Sequence, residues 1–295
     1  MFRKVLVGFD DSDQARDALA LGKQIADATG ARLVVAGVFQ FDPIWGSGVD
    51  SDFREAEAKY ARLVEHAARE VDAEAEAIPS SSAARGLHEL AEEIDADLIV
   101  VGSSHHGPVG RALAGSVGTA LLHGSSSAVA VAPRGYRDRT SAGATAVVVG
   151  FDGSAESGQA LIAAWELARR TGAKLKLVSV AVPPARGAVR AETAAPHLLE
   201  TIRDGLRERL IEARATVPED VEVEATLVSG DAVEALKDMG GSPGTIMVVG
   251  SRGYGPVRRV LLGSVSTKLM QSTPCPLIVT PRGTGAERSR GRQAA

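Results

Sequence analysis

Ile246-Met247-Val248-Val249-Gly250-Ser251-Arg252-Gly253, followed by nine residues and then Gly263-Ser264, is the stretch on which the fold turns. An apolar run closed by glycine reads as a buried strand. Past Gly263-Ser264 an apolar-periodic segment begins, so the loop feeds a helix N-terminus. Free backbone N–H groups and the positive end of the helix dipole meet there, and both favour an anion. Strand, glycine-rich loop and serine-started helix together read as a phosphate cradle. The same pattern stands 148 residues earlier, as Leu98-Ile99-Val100-Val101, Gly102-Ser103-Ser104-His105, nine residues, and Gly115-Ser116.

The duplication extends over the chain. Lys4-Val-Leu-Val-Gly-Phe-Asp10 is echoed by Ala146-Val-Val-Val-Gly-Phe-Asp152 at an offset of 142, which also aligns Ser12 with Ser154 and Gly30 with Gly172. Repeats at one spacing mark one ancestral domain in tandem. The expected domains are 1–135 and 145–282, with a linker at 136–144 and a disordered basic tail at 283–295. Each half reads as strand (3–9, 145–151), helix (13–29, 155–171), strand (31–39, 173–180), long helix (51–71, 192–215), strand (73–78, 221–227) and helix (84–95, 231–239). The cradle strand, a helix from Gly115 or Gly263 and a last strand (127–132, 276–280) follow. Strands alternating with helices imply an α/β fold, a doubly wound parallel sheet covered on both faces. Ligands then bind beyond the strand C-termini, where the winding reverses.

The 295 residues are 44% hydrophobic and 4% aromatic, which suits buried α/β cores and argues against an aromatic platform for single-stranded nucleic acid. A net charge of −4 gives no reason to expect nucleic acid as a partner. No apolar stretch approaches the roughly 18 residues of a membrane span, so no membrane partner is expected. One cysteine, Cys275, excludes an internal disulfide framework and makes the cytoplasm the expected compartment. Walker, HExxH, CxxC and GxSxG patterns do not occur, which sets aside the chemistries that depend on them.

Asp10 and Asp152 close the first strand of each half, facing Gly102 and Gly250 if strands one and four are neighbours. A carboxylate there can accept from a ribose hydroxyl or hold a divalent cation that bridges phosphates. It can equally cap the next helix. Arg252, Arg258 and Arg259 can bring positive charge to a polyphosphate or stand as solvated charges. Gly253 lets backbone approach an anion. Ser264 and Ser266 can donate hydroxyls to phosphate, and Ser264 can instead cap its helix. In the first loop His105 stands where the second has Gly253, and His105-His106 can bind phosphate, a metal, or nothing.

The pattern resembles the universal stress protein family, whose ATP-binding members share Gly, two residues, Gly, nine residues, Gly-Ser/Thr. Here those positions are Gly250, Gly253, Gly263 and Ser264, followed by Val265-Ser266. Val149-Gly-Phe-Asp-Gly-Ser154 resembles the family's opening, and the likeness runs through about 3–134 and 145–282. The resemblance implies five parallel strands per half in the order 3-2-1-4-5, with the halves paired by a pseudo-twofold through their last strands. It places Asp10 and Asp152 near ribose and metal, and Val38 and Val180 against adenine. It assigns the phosphates to Gly102, Gly115, Gly250, Gly253 and Gly263 with Ser264 and Ser266, and Ser116, Val117, Arg252 and Val265 are the other expected nucleotide-binding residues. The implied cofactors are ATP with Mg²⁺ or Mn²⁺, and the implied partners are a second copy, as a dimer, and a regulatory protein. His105, and Ser82 where the second half has Gly230, depart from the pattern and weigh against ATP in the first half. The implied role is an ATP-binding stress-response regulator whose nucleotide state biases partner or oligomer equilibria. A slow ATP hydrolase or phosphotransferase, and an interaction module with a vestigial site, stay open.

Overall fold

The computed structural model describes residues 2–40, 50–104, 109–123, 125–183, 194–251 and 263–281. In the first half the elements are β1 (Lys4–Gly8), α1 (Asp13–Thr29), β2 (Arg32–Gln40), α2 (Asp50–Val71), β3 (Glu74–Ser80), α3 (Ala83–Glu93), β4 (Leu98–Gly102), α4 (Ser116–Leu122) and β5 (Ala128–Ala132). A 3₁₀ helix (Arg137–Ala142) leads to the second half. There the elements are β6 (Ala146–Gly150), α5 (Ala155–Thr171), β7 (Lys174–Ala181), α6 (Ala194–Ala215), β8 (Val223–Ser229), α7 (Ala232–Gly240), β9 (Thr245–Gly250), α8 (Ser264–Gln271) and β10 (Leu277–Thr280).

Local chemistry accounts for the boundaries. Ser12 and Ser154 accept from the N–H groups of Ala15 and Ser157 and start α1 and α5. Gly30 and Gly172 end those helices in left-handed backbone, both at φ 68°, where a Cβ would strain the chain. β3 runs two residues past its expected end, through Pro79, which pairs with Phe39. The strand lies at the sheet edge, and there a residue without an N–H costs the ladder nothing.

All ten strands form one sheet in the order β3-β2-β1-β4-β5-β10-β9-β6-β7-β8. Each half is parallel in the order 3-2-1-4-5, and the halves join antiparallel through Leu277–Val131, Ile278–Ala130 and Val279–Val129. Side chains alternate between the faces. Val5, Val7, Val35, Leu98 and Val100 pack with α1, α2, α5 and α6 on one face. Leu6, Val34, Ile99, Val101 and Val131 pack with α3, α4, α7 and α8 on the other. With a helix layer over each face, the strand C-termini are the open edge, and β1 and β4 part there to leave a crevice.

The stretch between the halves is tied down. Asp17 of α1, 1% exposed, accepts from the backbone N–H of Gly135 (2.7 Å) and of Arg137 (3.0 Å). Tyr136 is buried and its hydroxyl donates to Gln24 Oε1 at 2.6 Å. Among the described residues no helix is long and apolar enough to cross a membrane.

Candidate functional site

The two first strands end alike. Asp10 Oδ1 accepts from Ser12 N (3.1 Å) and Ser12 Oγ (2.5 Å), and Asp152 Oδ1 from Ser154 N (3.0 Å) and Ser154 Oγ (2.5 Å). The helix caps are therefore the serines, and each aspartate orders the turn that presents its serine. Both aspartates remain exposed at the strand ends. Around Asp152 the surrounding protein favours the neutral acid, but donation from the Ser154 hydroxyl and backbone, and from Ser157, outweighs it and holds the carboxyl below its ordinary value. Between aspartate and serine the chain turns left-handed, at φ 66° for Asp11 and φ 81° for Gly153.

At the facing edge, Gly102 and Gly250 have a packing reason to be glycine. A Cβ on Gly102 would stand 2.2 Å from the carbonyl oxygen of Gln14, and one on Gly250 2.6 Å from that of Glu156. The first turn of α1 or α5 thus lies directly on the end of β4 or β9. Beyond Gly102, Ser103 Oγ donates to Ala132 O (2.6 Å) and accepts from Leu113 N (3.1 Å), while Ser104 N donates to Leu113 O (2.7 Å). These bonds fold the loop back so that Gly115 faces Ser104.

The result in the first half is a cavity of about 460 Å³. It brings together Asp10, Val38, Gly102, Gly115, Ser116 and Val117, the six first-half residues expected to bind nucleotide. Phe9, Ala36, Val38, Leu87 and Val101 make its walls apolar, and Ser104 and Ser116 supply hydroxyls, while those of Ser12 and Ser103 donate to Asp10 and to Ala132 O. Asp10 is the only charged side chain among the described lining residues. An anion there is met by backbone N–H groups and hydroxyls. Gly115, the N-cap of α4, makes no side-chain cap, and a Cβ added to it would come no nearer than 3.5 Å to protein.

In the second half, Asp152, Val180 and Gly250 occupy the matching strand ends. Gly263 is the N-cap of α8, again without a side-chain cap. Ser264 is exposed and Val265 half-buried. Ser266 differs from the expected phosphate donor, because it is 3% exposed and its hydroxyl turns inward to Gly263 O at 3.1 Å. Arg252, Gly253, Arg258, Arg259 and the pair His105-His106 lie outside the described residues.

Ser12, Ser103, Ala83 and Leu87 line the cavity and were not singled out in the sequence. The Asp-x-Ser spacing at Asp10 and Asp152 is the signal that could have found Ser12. The contrast between Ser82 and Gly230 has a local cause. Ser82 caps α3 in extended backbone, whereas Gly230 turns at φ 141° and leaves the capping of α7 to Asp231, one position later. Among the described residues no three His, Cys, Asp or Glu side chains gather as a metal cluster. One carboxylate per site fits an ion such as Mg²⁺, which keeps waters and relies on substrate phosphates. It does not fit a caged metal.

The model of the universal stress protein family matches residues 1–133 and 144–281. A universal stress protein of Mycobacterium tuberculosis is 34% identical over 208 residues, covering 68% of this chain and 69% of that protein. Another from the same organism is 28% identical over 296 aligned positions, covering 93% of this chain and 96% of its own. Among solved structures, a universal stress protein from Archaeoglobus fulgidus has the same fold, with a TM-score of 0.67 at 22% identity, covering 96% of this chain and 100% of that one.

Proposed function

Because this chain belongs to the universal stress protein family, whose model spans both halves, we propose that it is a cytoplasmic ATP-binding stress-response regulator whose nucleotide state biases partner or oligomer equilibria. The observation that supports this most is the cavity between the ends of β1 and β4. Its volume of about 460 Å³ lies in the range of small-molecule sites, roughly 300–1,000 Å³. A base fits the apolar side around Val38 and Leu87, and phosphates fit the side of Ser104, Gly115 and Ser116. Gly115 is glycine where the protein itself leaves room for a Cβ, and a seated ligand gives that position a reason. Asp10 and Asp152 are the carboxylates that would meet a ribose or an ATP-bound Mg²⁺. ATP shifts an equilibrium only by its differential affinity for the two states.

Regulation is favoured over hydrolysis by the state of Asp152. Its carboxyl is engaged with Ser154 and held below its ordinary value, which makes it a weak base near neutral pH. The test is to denature freshly purified protein and quantify released nucleotide by chromatography and mass spectrometry. About one ATP per chain supports a single competent half, and Gly115→Ala and Gly263→Ala variants identify which. Two per chain show that His105 is compatible with binding. None, together with no heat on titration with ATP and Mg²⁺, overturns the proposal in favour of an interaction module.

A further inference from the structure

Helix α8 belongs to both candidate sites. Its first residue, Ser264, follows the N-cap Gly263 in the second half's cradle. Its other end is completed by the first half. The carbonyl of Met270 is one of the last four that a helix leaves without an internal partner. It accepts from the N–H of Ala114 at 2.9 Å, and Ala114 immediately precedes Gly115. One step along, Ala112 and Thr273 exchange both backbone hydrogen bonds, at 2.7 and 3.1 Å, as an isolated antiparallel bridge. Arg111 Nη1 donates to Ser272 Oγ at 3.0 Å. Ala112 is 1% exposed and Thr273 is fully buried. Residues 111–114 are thus held on one side by Ser103 and Ser104 of their own half. On the other side they are held by residues 270–273 of the second half.

We propose that residues 270–273 are positioning residues for the first cavity, and that α8 couples the two sites. The helix has eight residues and is about 12 Å long, a single stiff element with Leu269 and Met270 anchored in the core. A ligand that draws or turns α8 at Gly263-Ser264 moves the Met270 carbonyl, and with it Ala114 and the N-cap Gly115. Releasing the bonds at Met270 and Thr273 removes one of the two sides that hold residues 111–114, the strip that leads into Gly115 and the cavity wall. The coupling between ligands rests on the nucleotide function proposed above, whereas the positioning role does not.

Two experiments on the full chain separate these parts. The first is amide hydrogen exchange in the parent, in an Arg111→Ala/Ser272→Ala double variant, and in Leu269→Ala, which loosens α8 in its core. Exchange at Ala112 and Ala114 is expected to quicken about fivefold or more in both variants, with Val5 and Val100 unchanged. Unaltered exchange at Ala112 and Ala114 overturns the positioning role, and the exposed double variant decides the matter if Leu269→Ala fails to fold. The second is calorimetric titration with ATP and Mg²⁺ of the parent, of Ser264→Glu, and of Ser264→Glu in the Arg111→Ala/Ser272→Ala background. A carboxylate at residue 264 suits the helix dipole but repels phosphate. Blocking the second site in this way is expected to change first-site affinity at least fivefold, and by a smaller factor once the loss of the Arg111–Ser272 bond has loosened the contact between 111–114 and 270–273. Equal first-site affinity in parent and Ser264→Glu overturns the coupling. No binding in any protein overturns the nucleotide function and the coupling together, while the exchange result still decides the positioning role.

Discussion

Gly102→Ala isolates the contact that shapes the crevice. The new Cβ would sit 2.2 Å from the Gln14 carbonyl oxygen and 2.5 Å from its carbonyl carbon, both backbone atoms in the first turn of α1. No rotamer change relieves a clash with backbone. To restore ordinary contact α1 must lift from β4 by about 1 Å, and a gap of that size forfeits a quarter to a half of each contact's attraction along the seam. Overpacking of this kind costs typically 1–3 kcal/mol, and the backbone contact puts Gly102→Ala at the upper end, about 3 kcal/mol. In a chain of this size that is a fall of roughly 6–12 °C in Tm. Gly250→Ala, at 2.6 Å from Glu156 O, is expected to cost somewhat less. Gly158 of α5 is the control, since nothing lies within 4 Å of its would-be Cβ. Gly158→Ala should stabilise by about 0.5–1 kcal/mol through helix propensity. The assay is urea denaturation followed by circular dichroism, with midpoints compared at fixed slope. A Gly102→Ala midpoint within about 0.5 kcal/mol of the parent, or a Gly158→Ala loss of similar size, refutes the packing account.

Gly115→Ala should fold with a loss of no more than about 1 kcal/mol, from the weaker N-cap, yet lower nucleotide affinity at the first site tenfold or more by calorimetry. Asp17→Asn should cost about 2–3 kcal/mol, because two part-buried backbone donors lose a buried charged acceptor; a urea midpoint matching the parent's would show that the junction is not held by Asp17. Burial pushes the Cys275 thiol up to about 12, so it should resist a thiol reagent at pH 8 until the protein is denatured, and prompt labelling of native protein would contradict its burial. Because Asp152 is held below its ordinary value of 3.8, the stability it adds is complete above that value and is lost as pH falls through the lower folded value. Asp152→Asn should therefore melt below the parent at pH 7 and converge with it beneath pH 3.8, and a gap that stays constant down to pH 3 would count against this linkage.

Much of the site could be read from residues in order because its parts are local. Asp10, Gly102 and Gly115 end or begin elements whose apolar periods are plain, and the doubly wound topology carries those ends to one edge. Asp152 and Gly263 follow from the same repeat. The inward turn of Ser266 was not legible, because a helix-start serine has the same sequence signature whether its hydroxyl faces a ligand or its own N-cap carbonyl. Ser103 was equally silent. Its value lies in Ala132 and Leu113, which only the folded loop brings within 3.1 Å.

The sequence by itself determined the duplication, the alternation of strands and helices, the capping glycines Gly30 and Gly172, and the placing of two glycine-rich loops at strand ends. Periodicity, capping and turn chemistry act over a few residues, so they are written in neighbouring letters. The resemblance implied that the halves pair through their last strands, and the tertiary structure made of that pairing one ten-stranded sheet with β5 and β10 antiparallel. Tertiary packing likewise made Gly102 a seat for Gln14, set Asp17 to hold the junction, and completed α8 with Ala114. Each of these joins a backbone group to a partner distant in sequence, and a polar group leaves no periodic mark of which distant partner will satisfy it.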